Sequence, residues 1–291
     1  MAERWSDRGL ERSPETFQGL LDGALPTHLA RAPGRVNLIG EHTDYNGLPV
    51  FPMALQREVR VLFRPRGDRM VRIRNGHAEF RPRDFELSEH IPPEAPGDWG
   101  NYLKAPCQAL ARRLGALRGM DALVTSTVPV ASGLSSSSAL VIAVGRALLA
   151  ANQRQVPTLE LAEEMARAER YTGTQGGGMD QAISLGARAG HASRIEFNPL
   201  RMVESPVPPG WQFVVAHTLV RAEKSGPAQA AYNDRNASCQ EALALVRLAL
   251  GARGEAGAQT LTYPELLTRL PVGELVALAA QSGCAAGVNY N

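Results

Sequence analysis

The densest chemistry in this chain is a run of four serines. VPVASGLSSSSAL (residues 128–140) leads into the apolar run VIAVGRALLA. A strand that delivers the backbone into Ser132-Gly133 and then opens a helix leaves the N–H groups of the first helical turn pointing outward, at the positive end of the dipole. Glycine lets a ligand approach the backbone, and serine hydroxyls add donors, one of which could reach a magnesium ion. The arrangement suits phosphate oxygens without a lysine. It is no Walker A loop, because neither lysine, Lys104 or Lys224, follows a glycine. The competing reading is a helix N-terminus capped several times over, since serine at that position requires no function.

Two further segments carry polar groups at close spacing. GTQGGGMDQ (residues 173–181) places three glycines before a carboxylate. Ordering such a run costs conformational entropy, which is easier to understand where backbone lies against a substrate. Asp180 would then accept a proton from a hydroxyl. The alternative is a flexible loop whose aspartate caps the residues that follow. RAPGRVNLIGEHTDYN (residues 31–46) packs Arg35, Asn37, Glu41, His42, Asp44, Tyr45 and Asn46 around Leu38-Ile39. A polyhydroxylated ligand needs several fixed donors and acceptors, and Glu41, His42 and Asp44 offer them within one turn. The same residues could form a polar surface loop. A metal site is disfavoured, because the six histidines are scattered and no H-E-x-x-H or Cys/His spacing occurs. A G-x-S-x-G elbow, a G-x-G-x-x-G after a strand and the protein-kinase pair H-R-D and D-F-G are also missing from the sequence.

The elements that must hold these segments follow from periodicity and punctuation. A short helix is predicted from Ser13 and Pro14 to residue 21, and a strand over 28–33. Val59, Val61 and Phe63 alternate with arginines, and residues 70–73 follow a Gly67-Asp68 turn, which predicts a β-hairpin with one solvated face. Residues 88–97 read as a loop, 99–114 as a helix, 121–130 as a strand and 135–152 as a helix. A helix over 158–171, strands over 191–197 and 211–217, a long helix over 227–250 and two short helices around Pro271 complete the pattern. Strands and helices mix without regular βαβ alternation, so the class is α+β.

Composition narrows the setting. At 291 residues the chain suggests two domains, and 44% hydrophobic content excludes wholesale disorder. Thirty-one Lys+Arg against 29 Asp+Glu give a net charge of +2, so no nucleic-acid or anionic-lipid partner is implied. No apolar run reaches membrane-spanning length, and the charged start MAERWSDRGLERSPE has no apolar segment behind it, so neither a span nor a signal peptide is expected. Cys107, Cys239 and Cys284 are odd in number and far apart, which predicts a reducing, cytoplasmic setting.

Taken together, the three segments resemble the galactokinases of the GHMP kinase superfamily. APGRVNLIGEHTDYNG is similar to the galactokinase signature almost letter for letter. VPVASGLSSSSAL resembles the superfamily's phosphate-binding motif, and GGGMDQ the motif that carries its catalytic aspartate. The resemblance spans residues 27–246 and includes WGNYLK (99–104) and AAYNDRNASCQ (230–240). It implies a two-domain α+β GHMP kinase fold with the active site between the domains, here residues 1–172 and 173–291, the second incomplete. It further implies transfer of phosphate from ATP, with Mg²⁺, to the C1 hydroxyl of galactose by a monomer. By position, Asp180 matches the base and Arg35 the residue that orients it and stabilises charge. Glu41, His42, Asp44, Gly177 and Tyr232 match sugar contacts. Gly133, Leu134, Ser135, Ser136 and Ser137 match the triphosphate loop, Ser137 and Glu169 the magnesium-associated pair, and Trp99 and Tyr102 positions near the adenine. The triple-glycine loop is more similar to the N-acetylgalactosamine kinase branch, which makes that sugar the alternative substrate. A catalytically silent sugar- and ATP-binding regulator and a non-functional fragment are the readings from another class. Nothing in residues 262–291 resembles the family's third glycine-rich motif, so weak or absent activity is expected of this chain.

Overall fold

Alternation in the strand β3 (Pro52–Pro65) turns Val59, Val61 and Phe63 to one face, and all three are buried. Full burial of a side chain such as Phe63 is worth about 3 kcal/mol relative to exposure. The computed structural model describes residues 3–4, 13–216 and 227–281. Its main sheet has six strands in the order β1-β2-β3-β6-β4-β5. These are β1 (Glu3–Arg4), β2 (His28–Asn37), β3, β4 (Met70–Asn75), β5 (Arg83–Glu86) and β6 (Met120–Ser126). Every pairing is antiparallel except that between β4 and β6.

The expected hairpin of residues 55–74 does not form. β6 lies between β3 and β4, pairing Leu62 with Leu123 on one side and running parallel to Ile73 and Arg74 on the other. The physical reason is that Met120, Ala122, Leu123 and Val124 are apolar enough to be buried on both faces, as a central strand must be. Nor is the arginine-bearing face of β3 simply solvated. The helix α1 (Ser13–Leu20) covers it, and Phe17 and Leu21 pack with Leu62 and Leu123. The arginines there are held by carboxylates: Asp121, fully buried, accepts from Arg64 at 2.8 Å and Arg66 at 3.0 Å.

The opposite face is covered by α2 (Gly100–Leu114), α3 (Ser136–Ala151) and α4 (Thr158–Glu169). α3 is apolar around most of its circumference because it packs against α2, α4, β2 and β3 together. A single-turn 3-10 segment, Arg170–Thr172, ends α4, and α5 (Met179–Gly186) then packs against α3, α4 and β2. β7 (His191–Glu196) and β8 (Arg201–Pro206) form a two-stranded sheet tied back through paired hydrogen bonds between Val50 and Ile195. The long α6 (Pro227–Ala252) packs with α8 (Val272–Gln281), and α7 (Tyr263–Arg269) adds Leu266 to their small core.

Other expectations need adjustment. The strand expected over 121–130 ends at Ser126, where Pro129 and Gly133 take the backbone into a loop. No strand forms over residues 211–216, where Val214 and Val215 have no pairing partner among the described residues, and residue 217 lies outside them. The segment 282–287, Cys284 included, also lies outside.

Candidate active site

The phosphate-loop candidate connects β6 to α3. Its backbone takes left-handed φ values at Ala131 (53°), Gly133 (77°) and Ser135 (59°). Such conformations are costly for residues with a Cβ and concentrate where a loop is shaped for a ligand. A Cβ added to Gly133 would meet nothing within 4 Å, so conformation rather than crowding calls for that glycine. No side chain caps the N-terminus of α3, which removes the capping explanation for the serine run. The Ser135 Oγ is buried without a partner. Free N–H groups and an orphaned hydroxyl at a helix start are what a phosphate would satisfy.

Gly34 lets this loop sit on β2. A Cβ there would lie 2.7 Å from the Leu134 carbonyl oxygen, and the next residue, Arg35, donates its N–H to that oxygen at 3.2 Å. The register of β2 against β3 shifts between Pro33 and Arg35, which turns the arginine inward. Arg35 Nε donates to Asp180 Oδ1 at 2.7 Å and Nη1 to the Gly133 carbonyl at 2.6 Å. Burial disfavours this guanidinium, yet the charge of Asp180 and its hydrogen bond outweigh it, and the Arg35 pKa is raised. Asp180 stands in the first turn of α5, after Gly178 at φ 108°.

Glu169, at the end of α4, accepts from the Ser138 hydroxyl at 2.7 Å and from the side-chain amide of Gln181. Ser138 also lies 3.4 Å from Asp180 Oδ2. Ser138 and Gln181 are therefore site residues that the sequence reading did not single out. The signal was present: Ser138 is the fourth of the serines, and Gln181 follows the aspartate directly. Ser137, matched with Glu169 as the magnesium-associated pair, lines the neighbouring cleft.

The sugar-contact candidates converge. Arg35, Glu41, His42, Asp44, Gly177, Asp180 and Tyr232 line one cavity of about 280 Å³ with Ser138, Glu169 and Gln181. Asn37 holds one oxygen of Glu41 at 2.8 Å. The His42 and Tyr232 rings lie 5.3 Å apart, and His42 Nδ1 is 3.0 Å from the Tyr45 hydroxyl. Burial, with Asp44 and Asp180 nearby, pushes the Tyr232 phenol well above its usual pKa. Burial likewise raises Tyr45 to about 12. Gly177 has a packing reason of its own, since a Cβ there would lie 2.3 Å from the Tyr45 nitrogen.

A second cavity of about 550 Å³ lies on the other side of the serine loop. Gly133, Ser135, Ser136 and Ser137 form one end, with Trp99, Tyr102 and Phe80 among its walls. Trp99 is fixed by its indole N–H to the Arg81 carbonyl at 2.9 Å and by the Phe80 ring at 5.4 Å. Gly133 lines both cavities, so they meet at the serine loop. Among the described residues no group of three or more His, Cys, Asp or Glu is placed to hold a metal ion. Glu169 and the serine hydroxyls are hard oxygen donors of the kind Mg²⁺ takes when phosphate and water complete its shell.

The fold is that of the GHMP kinases, and residues 101–187 match the model of the GHMP kinases N terminal domain. Residues 15–65 match the galactokinase galactose-binding signature. It is 45% identical over 231 residues to a galactokinase of Chloroflexus aggregans, covering 79% of this chain and 58% of that protein. It is 35% identical over 260 residues to a galactokinase of Dictyostelium discoideum, covering 84% and 51%. The crystal structure of Lactococcus lactis galactokinase complexed with galactose superposes with a TM-score of 0.71 at 26% identity, covering 94% of this chain and 70% of that one. The chain thus spans little more than half the length of the curated relatives it matches.

Proposed function

We propose that this chain binds ATP and galactose and transfers the γ-phosphoryl group to the sugar's C1 hydroxyl. The observation that carries the reading is the junction at Gly133. Its residue lines the nucleotide-sized cleft and the polar cavity alike, and its carbonyl accepts from the arginine that pairs with Asp180. Phosphoryl transfer needs alignment and charge stabilisation more than covalent chemistry. The N–H groups opening α3 hold phosphate oxygens, and Arg35 stabilises charge that develops in transfer. Asp180, oriented by Arg35, takes the proton of the attacking hydroxyl. Glu41, His42, Asp44, Gly177 and Tyr232 orient the sugar, while Trp99 and Tyr102 face the base of the nucleotide.

Mg²⁺, when bound with ATP, neutralises charge on the phosphates. Glu169 with the hydroxyls of Ser137 and Ser138, one facing each cavity, would hold it. We divide the chain into residues 1–172 and 173–291; Leu243 to Leu278 form a core of their own, while Met179, Ala182, Ile183 and Ile195 pack with Val50 and Ala162 across that boundary. We place the protein in the cytoplasm as a monomer, and no described helix is long and apolar enough to cross a membrane. The test is galactose-dependent ADP release by the purified chain with Mg²⁺, alongside direct binding of each substrate. Binding of neither substrate would overturn the proposal.

A further inference from the structure

One face of α6 is a ladder of side-chain amides aimed at the backbone that precedes the triple glycine. Gln229, Asn233, Asn236 and Gln240 recur at helical spacing and so share that face. Gln229 Nε2 donates to the Thr172 carbonyl at 3.0 Å and to the Thr174 hydroxyl at 3.2 Å. Asn233 works in both directions: Nδ2 donates to the Gly173 carbonyl at 2.9 Å, and Oδ1 accepts the Gln175 N–H at 3.1 Å. Asn236 Nδ2 donates to the Gln175 carbonyl at 2.9 Å. Further along, Gln240 Nε2 donates to the Asn46 side-chain oxygen at 3.4 Å, on the sugar-signature loop. Tyr232, from the same stretch of helix, enters the sugar cavity.

A glycine-rich segment has little intrinsic preference for one conformation, so something outside it must hold it. Backbone of residues 172–175 lies outside any regular helix or strand except for the single turn ending at Thr172, and α6 takes up the carbonyls of Thr172, Gly173 and Gln175 and the Gln175 N–H. Two residues later Gly177 presses against Asp44 and Tyr45, and three more lead to Asp180. We propose that the amide face of α6, centred on Asn233, is the positioning device of the sugar cavity: it fixes the loop that sets Gly177 and Asp180 and delivers Tyr232 in the same docking. Its consequence is selective. The amides touch the loop of the sugar cavity and no residue of the serine loop, so their loss weakens sugar binding and spares the nucleotide.

This inference rests on the galactose reading above, and two variants and two measurements separate them. Asn233→Ala removes both hydrogen bonds, whereas Asn233→Asp keeps the acceptor for the Gln175 N–H and loses the donor. Calorimetric titration of the full chain with galactose should show about tenfold weaker binding for Asn233→Ala, the scale of one hydrogen bond's net contribution. Asn233→Asp should fall between that variant and wild type, and ADP affinity should stay within about twofold in both. Unchanged galactose affinity, or an equal loss for both ligands, overturns the proposal. Amide hydrogen exchange over residues 173–178 supplies the second readout, with protection in wild type and faster exchange in both variants. If wild type binds no galactose, the reading of substrate fails; protection lost on substitution still supports the clamp, and exchange equal in all three chains overturns it.

Discussion

Replacing Gly177 by alanine tests how tightly the two walls of the sugar cavity are pressed together. A Cβ at this position would lie 2.3 Å from the Tyr45 nitrogen, 2.4 Å from the Asp44 carbonyl carbon and 2.6 Å from its Cγ. Ordinary carbon contacts are about 3.5–4.0 Å, so the walls must part by about 1 Å. Two of the three neighbours are backbone, which cannot rotate away. Overpacking of this kind costs about 1–3 kcal/mol. At about 2–4 °C per kcal/mol for a chain of this size, the melting midpoint should fall by roughly 2–12 °C. The functional effect should be larger, because Asp44 lines the sugar cavity and Tyr45 meets His42, which lines it too. A displacement near 1 Å is worth about 10²-fold in turnover. Gly176→Ala is the stability control: nothing lies within 4 Å of its Cβ position, and its melting midpoint should stay within about 2 °C of wild type. The measurements are thermal unfolding by circular dichroism and galactose binding by calorimetry. If Gly177→Ala melts with wild type and binds galactose equally well, the close approach of the two walls is not what that glycine serves.

Three other outcomes are expected. Asp180→Asn should lower galactose phosphorylation at least about 10²-fold while ATP still binds; near-normal turnover would remove Asp180 as the base. Ser138→Ala should raise the Mg²⁺ concentration needed for half-maximal ATP binding or turnover, because the Ser138 hydroxyl meets the Glu169 carboxylate. An unaltered Mg²⁺ dependence would leave that hydroxyl a structural partner only. Burial raises Tyr45 and Tyr171 to about 12 and Tyr232 further still. The fold favours these phenols protonated, so their contribution to stability is complete below pH 10 and is lost as pH rises toward 12. Alkaline absorbance titration should show at least three tyrosines ionising late relative to the unfolded chain; a single transition near pH 10 would contradict their burial.

Much of the site was legible because its residues sit in short, contiguous runs. Arg35 and Asp180 are 145 positions apart, yet each stands in a segment whose composition already pointed to chemistry, and they meet at 2.7 Å. Ser137 and Ser138 show the limit of that reading. Four identical neighbours give no hint of which hydroxyl faces which cavity, since this depends on the helical phase set at Ser135. The glycines were read as room for a ligand, whereas at Gly177 the space is taken by the Asp44–Tyr45 backbone. Most helix positions followed from apolar spacing and punctuation. The hairpin expectation failed because alternation reports which face of a strand is buried and says nothing of its neighbour. β8 was missed because Arg201, Glu204 and Ser205 dilute its apolar pattern in a strand that is largely exposed.

β6 has a further consequence, in time rather than in space. The strand at the middle of the sheet is synthesised after both of the strands it joins. A nascent chain that has emerged as far as Asn75 carries Val61, Phe63, Val71 and Ile73 on two strands that lack the partner between them. Local zipping therefore cannot complete the sheet, and its closure waits on a distant segment, which slows folding. Until residues 120–126 emerge, β3 and β4 present open edges to other chains. The same late arrival brings Asp121, which draws Arg64 and Arg66 into place. The vulnerable interval of this protein's biogenesis is thus bounded by its own topology, from the emergence of β4 to the arrival of β6.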